Sequence, residues 1–233
     1  MNFKAILFFI IVSFISVAIF LLSIFFVSME NIERFIKILF AFAYKVVGIK
    51  LKIIGQENID NKKSYIFVSN HSSLMDIPSV KLSLPTNVKF IAKKELFNIP
   101  VFGFALHRIG QIPIDRSNKR RAIESLNIAR ERLNAGSSIW MAPEGTRNLN
   151  GEIGVFKKGA FVTAAQADVE IVPLSLCGTW NILQKKSLKI NSGKIDVIIN
   201  KPIKVDKDNV QFVLEEAKNV ISNDIKKWKE ENE

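Results

Sequence analysis

Hydrophobic side chains dominate the first 47 residues, and then their rhythm changes. Residues 5–27 contain no charge, an apolar run of 23 residues. At about 1.5 Å per residue this makes about 34 Å of helix, enough to cross a hydrocarbon core. A cleaved signal peptide is the alternative, but the run is long for one and no small-x-small cleavage site follows it. The pattern therefore favours a retained membrane helix. Residues 29–47 are again apolar, with Glu30, Glu33, Arg34, Lys37, Tyr44 and Lys45 recurring at helical steps as a narrow polar stripe. This second helix either lies in the membrane interface, or forms with the first a hairpin dipping into one leaflet, or covers part of a globular core.

After Gly48 the pattern becomes short β-rich runs separated by helical ones, which predicts an α/β domain. Strands are expected near 50–54, 65–69, 88–92, 111–114, 138–141, 170–176 and 195–199, with helices near 74–82, 100–108, 119–134 and 158–166. Gly136 is expected to cap the third of these helices. Asn191-Ser192-Gly193 predicts a hairpin turn into the last strand. Pro173 inside an apolar strand favours an edge or a bulge, because proline cannot donate to the ladder. In the tail, Val210, Val213, Leu214, Ala217, Val220, Ile221, Ile225 and Trp228 share one face of an amphipathic helix. The expected architecture is one α/β domain at 48–233, with a mixed, mostly parallel sheet of about seven strands flanked by helices. An N-terminal hydrophobic two-helix membrane anchor at 1–47 precedes it.

Composition narrows the partners. With 233 residues, 48% of them hydrophobic, the chain can bury one substantial core. Lysine and arginine outnumber aspartate and glutamate by 33 to 22, a net charge of +11, which suits a phosphate-bearing or anionic partner. Nucleic acid and a membrane surface both qualify. The single cysteine, Cys177, excludes an internal disulfide, and two histidines leave no zinc-type cluster, so no metal site is expected.

The candidate chemistry begins at Asn70-His71-Ser72-Ser73-Leu74-Met75-Asp76. A histidine and an aspartate five apart can make a general base and its orienting carboxylate. On one continuous helix they would be about 500° apart, about 140° off a common face, so the pair needs a bend. Ser72 and Ser73 are candidate helix N-caps. That places His71 on the strand-to-helix turn and Asp76 in the first turn, reaching back to accept from Nδ1–H and leaving Nε2 to take a proton from a hydroxyl. Three further stretches carry polar residues where a strand meets a loop: Gly110-Gln111-Ile112-Pro113-Ile114-Asp115-Arg116, Pro143-Glu144-Gly145-Thr146-Arg147, and Ile171-Val172-Pro173-Leu174. Arg116 and Arg147 offer permanently charged forks suited to a phosphate monoester, and Gly145 lets backbone approach a ligand closely. Taken singly, either arginine reads rather as a surface ion-pair partner, with Glu144 available to pair with it.

Taken in order, these blocks resemble the glycerolipid acyltransferase superfamily, and within it most closely the bacterial 1-acylglycerol-3-phosphate acyltransferases. The likeness runs over residues 71–176 as NHSSLMD, GQIPIDR, PEGTR and IVPLSL, with Lys94-Glu95-Leu96 and Phe156-Lys157-Lys158-Gly159-Ala160 fitting between. An N-terminal hydrophobic helix pair also looks like this family. Two positions depart from its pattern: Ala142 where an aromatic residue often precedes Pro-Glu-Gly, and Asn148 where a serine often follows Thr-Arg.

The resemblance implies acyl transfer from a thioester to the sn-2 hydroxyl of 1-acylglycerol 3-phosphate, with His71 as base and Asp76 orienting it. It implies substrate binding by Arg116, Lys94, Glu144, Gly145, Thr146 and Arg147, with the two arginines on the acceptor phosphate and Glu144 holding acceptor polar groups or an arginine. A thioester is already activated, so no enzyme nucleophile is needed, and Cys177 reads as a core filler. No cofactor is implied beyond acyl-CoA or an acyl carrier protein thioester as co-substrate. His107 has no carboxylate at a useful spacing and reads as structural.

The basic excess fits an anionic membrane surface or an acidic carrier protein, and the 119–121 run is equally a solvated helix start. Nucleic acid is disfavoured, since no aromatics interleave with the basic runs. Lys4 ahead of the apolar run and the basic domain behind it favour a catalytic domain on the cytoplasmic face of a bacterial inner membrane. The same blocks serve acyltransferases for other lysophospholipids, glycerol 3-phosphate or lyso-aminolipids. A non-catalytic membrane-anchored lipid-binding protein is the competing reading of another class.

Overall fold

Runs of β-branched and aromatic residues form seven strands in the computed structural model, which describes residues 2–24, 28–85, 87–149 and 151–232. They are β1 (Ile49–Ile54), β2 (Tyr65–Ser69), β3 (Val88–Lys93), β4 (Ile112–Ile114), β5 (Ser138–Met141), β6 (Glu170–Cys177) and β7 (Gly193–Ile199). The helices are α1 (Phe3–Ile24), α2 (Met29–Val47), α3 (Asp76–Ser83), α4 (Phe102–Arg108), α5 (Lys119–Asn134), α6 (Gly159–Ala167), α7 (Thr179–Ile182) and α8 (Val210–Asn232). The last three residues of the apolar run, 25–27, lie outside the described residues.

The strands join in the order β1-β7-β6-β2-β5-β3-β4. Only β6 and β7 pair antiparallel, so the expected mixed, mostly parallel sheet of seven strands is what forms. Alternation along β2 builds the two cores: Tyr65 and Phe67 enter the layer under α1, α2 and α3, and Ile66 and Val68 the layer under α5, α6 and α8. The predicted face of α8 is buried at Val213, Leu214, Ala217, Ile221, Ile225 and Trp228. At the end of α5, Gly136 sits at φ +83°, with its own N–H on Leu133 O and that of Ser137 on Arg132 O. That pair of bonds is the Schellman arrangement that a left-handed glycine permits.

One expectation is half met and another fails. Pro173 lies on an interior strand, with Val68 of β2 as its register partner, but at a bulge: Leu174 pairs with Ile199 and Ile171 with Ile203, so two residues of β6 face three of the opposite segment. Its carbonyl accepts from Asn200 N at 3.0 Å, one residue beyond the end of β7. The missing N–H therefore falls at the irregular step of the ladder, where proline is tolerated and little is lost. The predicted tight hairpin at 191–193 is absent. The chain between β6 and β7 instead includes α7, and Asn191 N donates to Ile182 O to fold that excursion back.

Helix α1 lays Ala5, Phe8, Ile11, Ile15 and Ile19 against the domain, while Phe3, Ile6, Ile10, Phe14 and Val17 remain exposed. Its start is tied to the body by Asn2 Nδ2 donating to Ile190 O at 2.7 Å, and further along Phe20 meets Phe104 of α4 edge-on. Helix α2 starts at Ser28, whose hydroxyl accepts from Asn31 N, and stops at Gly48 in a left-handed conformation. It buries Ile32, Ile36, Ala43, Tyr44 and Val47 in the same core as the sheet.

Its polar stripe does not all face outward. Glu33 is 2% exposed, with one oxygen against Lys81 Nζ of α3 and the other 3.6 Å from Lys89 Nζ. Burial pushes the Lys81 ammonium down while Glu33 opposes it. Glu33→Ala would strand that ammonium, at a cost of about 3–5 kcal/mol. Denaturant unfolding in detergent is expected to show the loss, with most of it recovered in the Glu33→Ala/Lys81→Met double variant.

Candidate active site

Strands β2 and β5 lie side by side, and the helices that follow them, α3 and α6, pack on opposite faces of the sheet. An open parallel sheet forms its ligand crevice at such a point, beyond the carboxyl ends of the strands. The NHSSLMD turn leaves β2 there and the PEGTR turn leaves β5.

Asn70 extends β2 sideways. Its Nδ2 donates to Leu176 O and its Oδ1 accepts from Leu176 N, both at 2.9 Å, which pins the turn to β6. His71 follows on the turn, as expected, and Asp76 opens α3. Asp76 Oδ2 accepts from Ser72 N at 2.8 Å and Ser73 N at 3.0 Å, and lies 2.7 Å from His71 Nδ1. An oxygen already taking two N–H donors is an acceptor, so Nδ1 carries the proton and Nε2 is the free base. The bend is held differently from expectation. Neither serine caps the helix; the carboxylate itself gathers the upstream N–H groups, and Ser73 Oγ instead accepts from Met75 N and donates to Leu183 O. Asp76 is fully buried, whereas the His71 side chain keeps 14% exposure, so the base is not sealed from substrate. Trp140 of β5 packs edge-on to the ring, with centroids 6.2 Å apart, and its Nε1 donates to Ser69 Oγ.

The PEGTR turn grips the same residue. Glu144 Oε1 accepts from His71 N at 2.8 Å, Oε2 accepts from Gly154 N at 2.8 Å and from Asn148 Nδ2, and Asn148 N donates to His71 O at 2.8 Å. Glu144 was expected to hold acceptor groups or an arginine. It is spent on protein donors because it is 6% exposed and each oxygen needs a partner. Burial pushes its carboxyl up, against the pull of the Gly154 and His71 N–H groups.

Gly145 adopts φ +72°, and a Cβ there would stand 2.9 Å from Lys157 Nζ. Its carbonyl accepts from Arg116 Nη1, which reaches over from the end of β4. One guanidinium therefore meets the turn that holds the histidine. Arg147 is half-buried on that turn, its carbonyl accepting from Lys185 Nζ at 2.6 Å, and Thr146 is exposed beside it. Lys94 is paired with the neighbour of Arg116: its Nζ lies 2.5 Å from Asp115 Oδ2. Lys94, then Ser117, hold the Asp115 carboxyl well below the usual carboxylate range. Cys177 is buried and its thiol is pushed well up by burial, in keeping with a core filler. His107 of α4 meets Phe97, which precedes that helix, edge-on.

Sequence reasoning passed over Asn70, Trp140 and Asn148 as contributors. The first stands inside a recognised block and the third at a departure from one, so both had a signal; Trp140 had none beyond its place at a strand end. No group of three or more His, Cys, Asp or Glu able to hold a metal occurs among the described residues.

Comparison with known proteins gives the frame for these contacts. The chloroplastic 1-acyl-sn-glycerol-3-phosphate acyltransferase LPAT1 of Arabidopsis thaliana is 41% identical over 163 residues, 69% of this chain and 46% of that protein. The 1-acyl-sn-glycerol-3-phosphate acyltransferase of Saccharomyces cerevisiae is 35% identical over 164 residues, 69% of this chain and 54% of that protein. The chain thus spans about half the length of these curated relatives. In fold it is similar to the crystal structure of the 1-acyl-sn-glycerophosphate (LPA) acyltransferase PlsC from Thermotoga maritima. That likeness has a TM-score of 0.84 and 24% identity, and covers 97% of this chain and 95% of that one. The family described as Acyltransferase matches residues 50–177, which hold all of the turns described above, and the chain belongs to that family.

Proposed function

We propose that the chain transfers a fatty acyl group from a thioester to the sn-2 hydroxyl of 1-acylglycerol 3-phosphate, giving phosphatidic acid. The observation that carries this reading is the His71 Nδ1 to Asp76 Oδ2 contact of 2.7 Å at the sheet's carboxyl edge, beside a turn that Arg116 reaches. Nε2 takes the hydroxyl proton as the oxygen attacks the thioester carbonyl, and Asp76 stabilises the imidazolium that forms. The tetrahedral oxyanion collapses, the C–S bond breaks, and the imidazolium returns the proton to the departing thiolate. The thioester supplies the activation, so neither an enzyme nucleophile nor a cofactor enters. Arg116 and Arg147 hold the acceptor phosphate, Arg116 beside Gly145 and Arg147 from the same turn.

The names of the relatives, each a 1-acyl-sn-glycerol-3-phosphate acyltransferase, support this acceptor. The exposed apolar face of α1, with a mean hydropathy of 2.7 over residues 3–21, supports attachment to a membrane. Lys4 and the basic excess support the cytoplasmic face of a bacterial inner membrane.

Purified protein in mixed micelles, given labelled acyl-CoA or acyl carrier protein thioester and a panel of lysolipids and glycerol 3-phosphate, tests the reading. Preferred acylation of 1-acylglycerol 3-phosphate is the expected result. Preference for an acceptor without a phosphate monoester would replace it, and no transfer at all would leave the lipid-binding alternative. In the same assay Arg116→Ala is expected to raise the acceptor KM at least tenfold, about 1.4 kcal/mol. The donor KM should stay unchanged, and Arg116→Lys should recover part of the loss.

A further inference from the structure

Two carboxylates serve one histidine in this site. Asp76 holds the ring of His71, and Glu144 holds its backbone N–H. The carboxylate of a glutamate turns on a soft, nearly two-fold torsion, so its donors fix its plane. Oε2 meets two: Gly154 N and the side-chain amide of Asn148. Asn148 also binds His71 through its own backbone, donating N–H to the His71 carbonyl at 2.8 Å. The contacts close a ring from the His71 N–H through Glu144 and Asn148 back to the His71 carbonyl. The space is built for these two side chains, since a Cβ on Gly154 would stand 2.6 Å from Asn148 Nδ2 and 2.9 Å from Glu144 Oε2.

We propose that Asn148 is a positioning residue for His71, acting through Glu144: its amide turns the buried carboxylate so that Oε1 faces the His71 N–H and the imidazole is held at its working tilt. The inference rests on the reading of His71 as general base. It also gives Asn148 work that a residue shaping the acceptor pocket would not do. Without the amide, Oε2 keeps only Gly154 N, and a buried carboxylate short of a donor takes up a proton more readily. A proton on Oε1 would point a donor at the His71 N–H and push the turn away.

Three readouts test the role. In Asn148→Ala, kcat is expected to fall about tenfold with both KM values within about twofold, as befits a loss of orientation and not of binding. In Asn148→Asp, two carboxylates face each other, and near neutral pH kcat should fall about a hundredfold. The ratio of variant to wild-type kcat should then rise as pH is lowered, because a shared proton restores an O–H donor where the amide stood. Backbone hydrogen exchange needs no turnover. The amides of His71 and Gly154 should exchange about tenfold faster in Asn148→Ala, with the α8 amides unchanged.

A raised acceptor KM with unchanged kcat would overturn the proposal in favour of direct substrate contact, and so would a variant-to-wild-type ratio that ignores pH. Wild-type protein that acylates no lysolipid would overturn the parent reading alone. The exchange rates then still decide the clamp, and unchanged exchange at His71 would sink it.

Discussion

Replacing His71 with alanine is expected to lower kcat for acyl transfer by about 10³- to 10⁴-fold, the upper part of the range for loss of a positioned general base. The protein should remain folded and membrane-bound. The contacts that bind this turn to the PEGTR turn are made by the backbone of residue 71: its N–H to Glu144 Oε1 and its carbonyl from Asn148 N. An alanine keeps both. The Asp76 carboxylate keeps the Ser72 and Ser73 N–H donors and loses only the ring. Circular dichroism and vesicle flotation check the fold and the attachment, and a labelled-thioester assay checks the rate. Substantial residual transfer would mean that another group takes the hydroxyl proton.

Asp76→Asn separates charge from shape. The carboxylate's working oxygen is Oδ2, while Oδ1 is buried without a hydrogen-bond partner among the described residues. An asparagine therefore places its carbonyl in the Oδ2 position, keeps the two backbone donors and the Nδ1–H, and leaves its NH₂ in the unpartnered place. The geometry survives but the countercharge for the imidazolium does not. A drop in kcat of about 10²- to 10³-fold is expected, with acceptor KM little changed and the melting midpoint near that of wild type. If Asp76→Asn instead unfolds the protein, the carboxylate's main task is to hold the turn at Ser72 and Ser73.

The five-residue spacing of His71 and Asp76 called for a bend between them, and the bend exists, because a helical pair at that spacing cannot converge. The device that holds it was misread. Serine is a good N-cap in isolation, but here the Asp76 carboxylate reaches back to the N–H groups of both serines, and Ser73 Oγ is taken by Met75 N and Leu183 O. Pro173 is not on an edge, but it sits where the ladder bulges between the Leu174–Ile199 and Ile171–Ile203 pairs, so its missing N–H costs little. Lys94, a candidate for the acceptor phosphate, is occupied by Asp115, which stands 21 residues further along the chain.

Apolar periodicity marked all seven strands and most of the helices, since burial of a strand or helix face is written in residues two, three or four apart. The short polar blocks likewise marked the turns that carry the site, since a turn's chemistry is local. Partner choice among their side chains was not legible. Glu144 binds the His71 N–H across 73 positions of sequence, and that meeting depends on β5 lying beside β2, with helices leaving the two strands on opposite faces. A hydrogen bond acts only near 3 Å, so which donor meets a carboxylate is set by strand order and register, which no periodicity along the chain encodes.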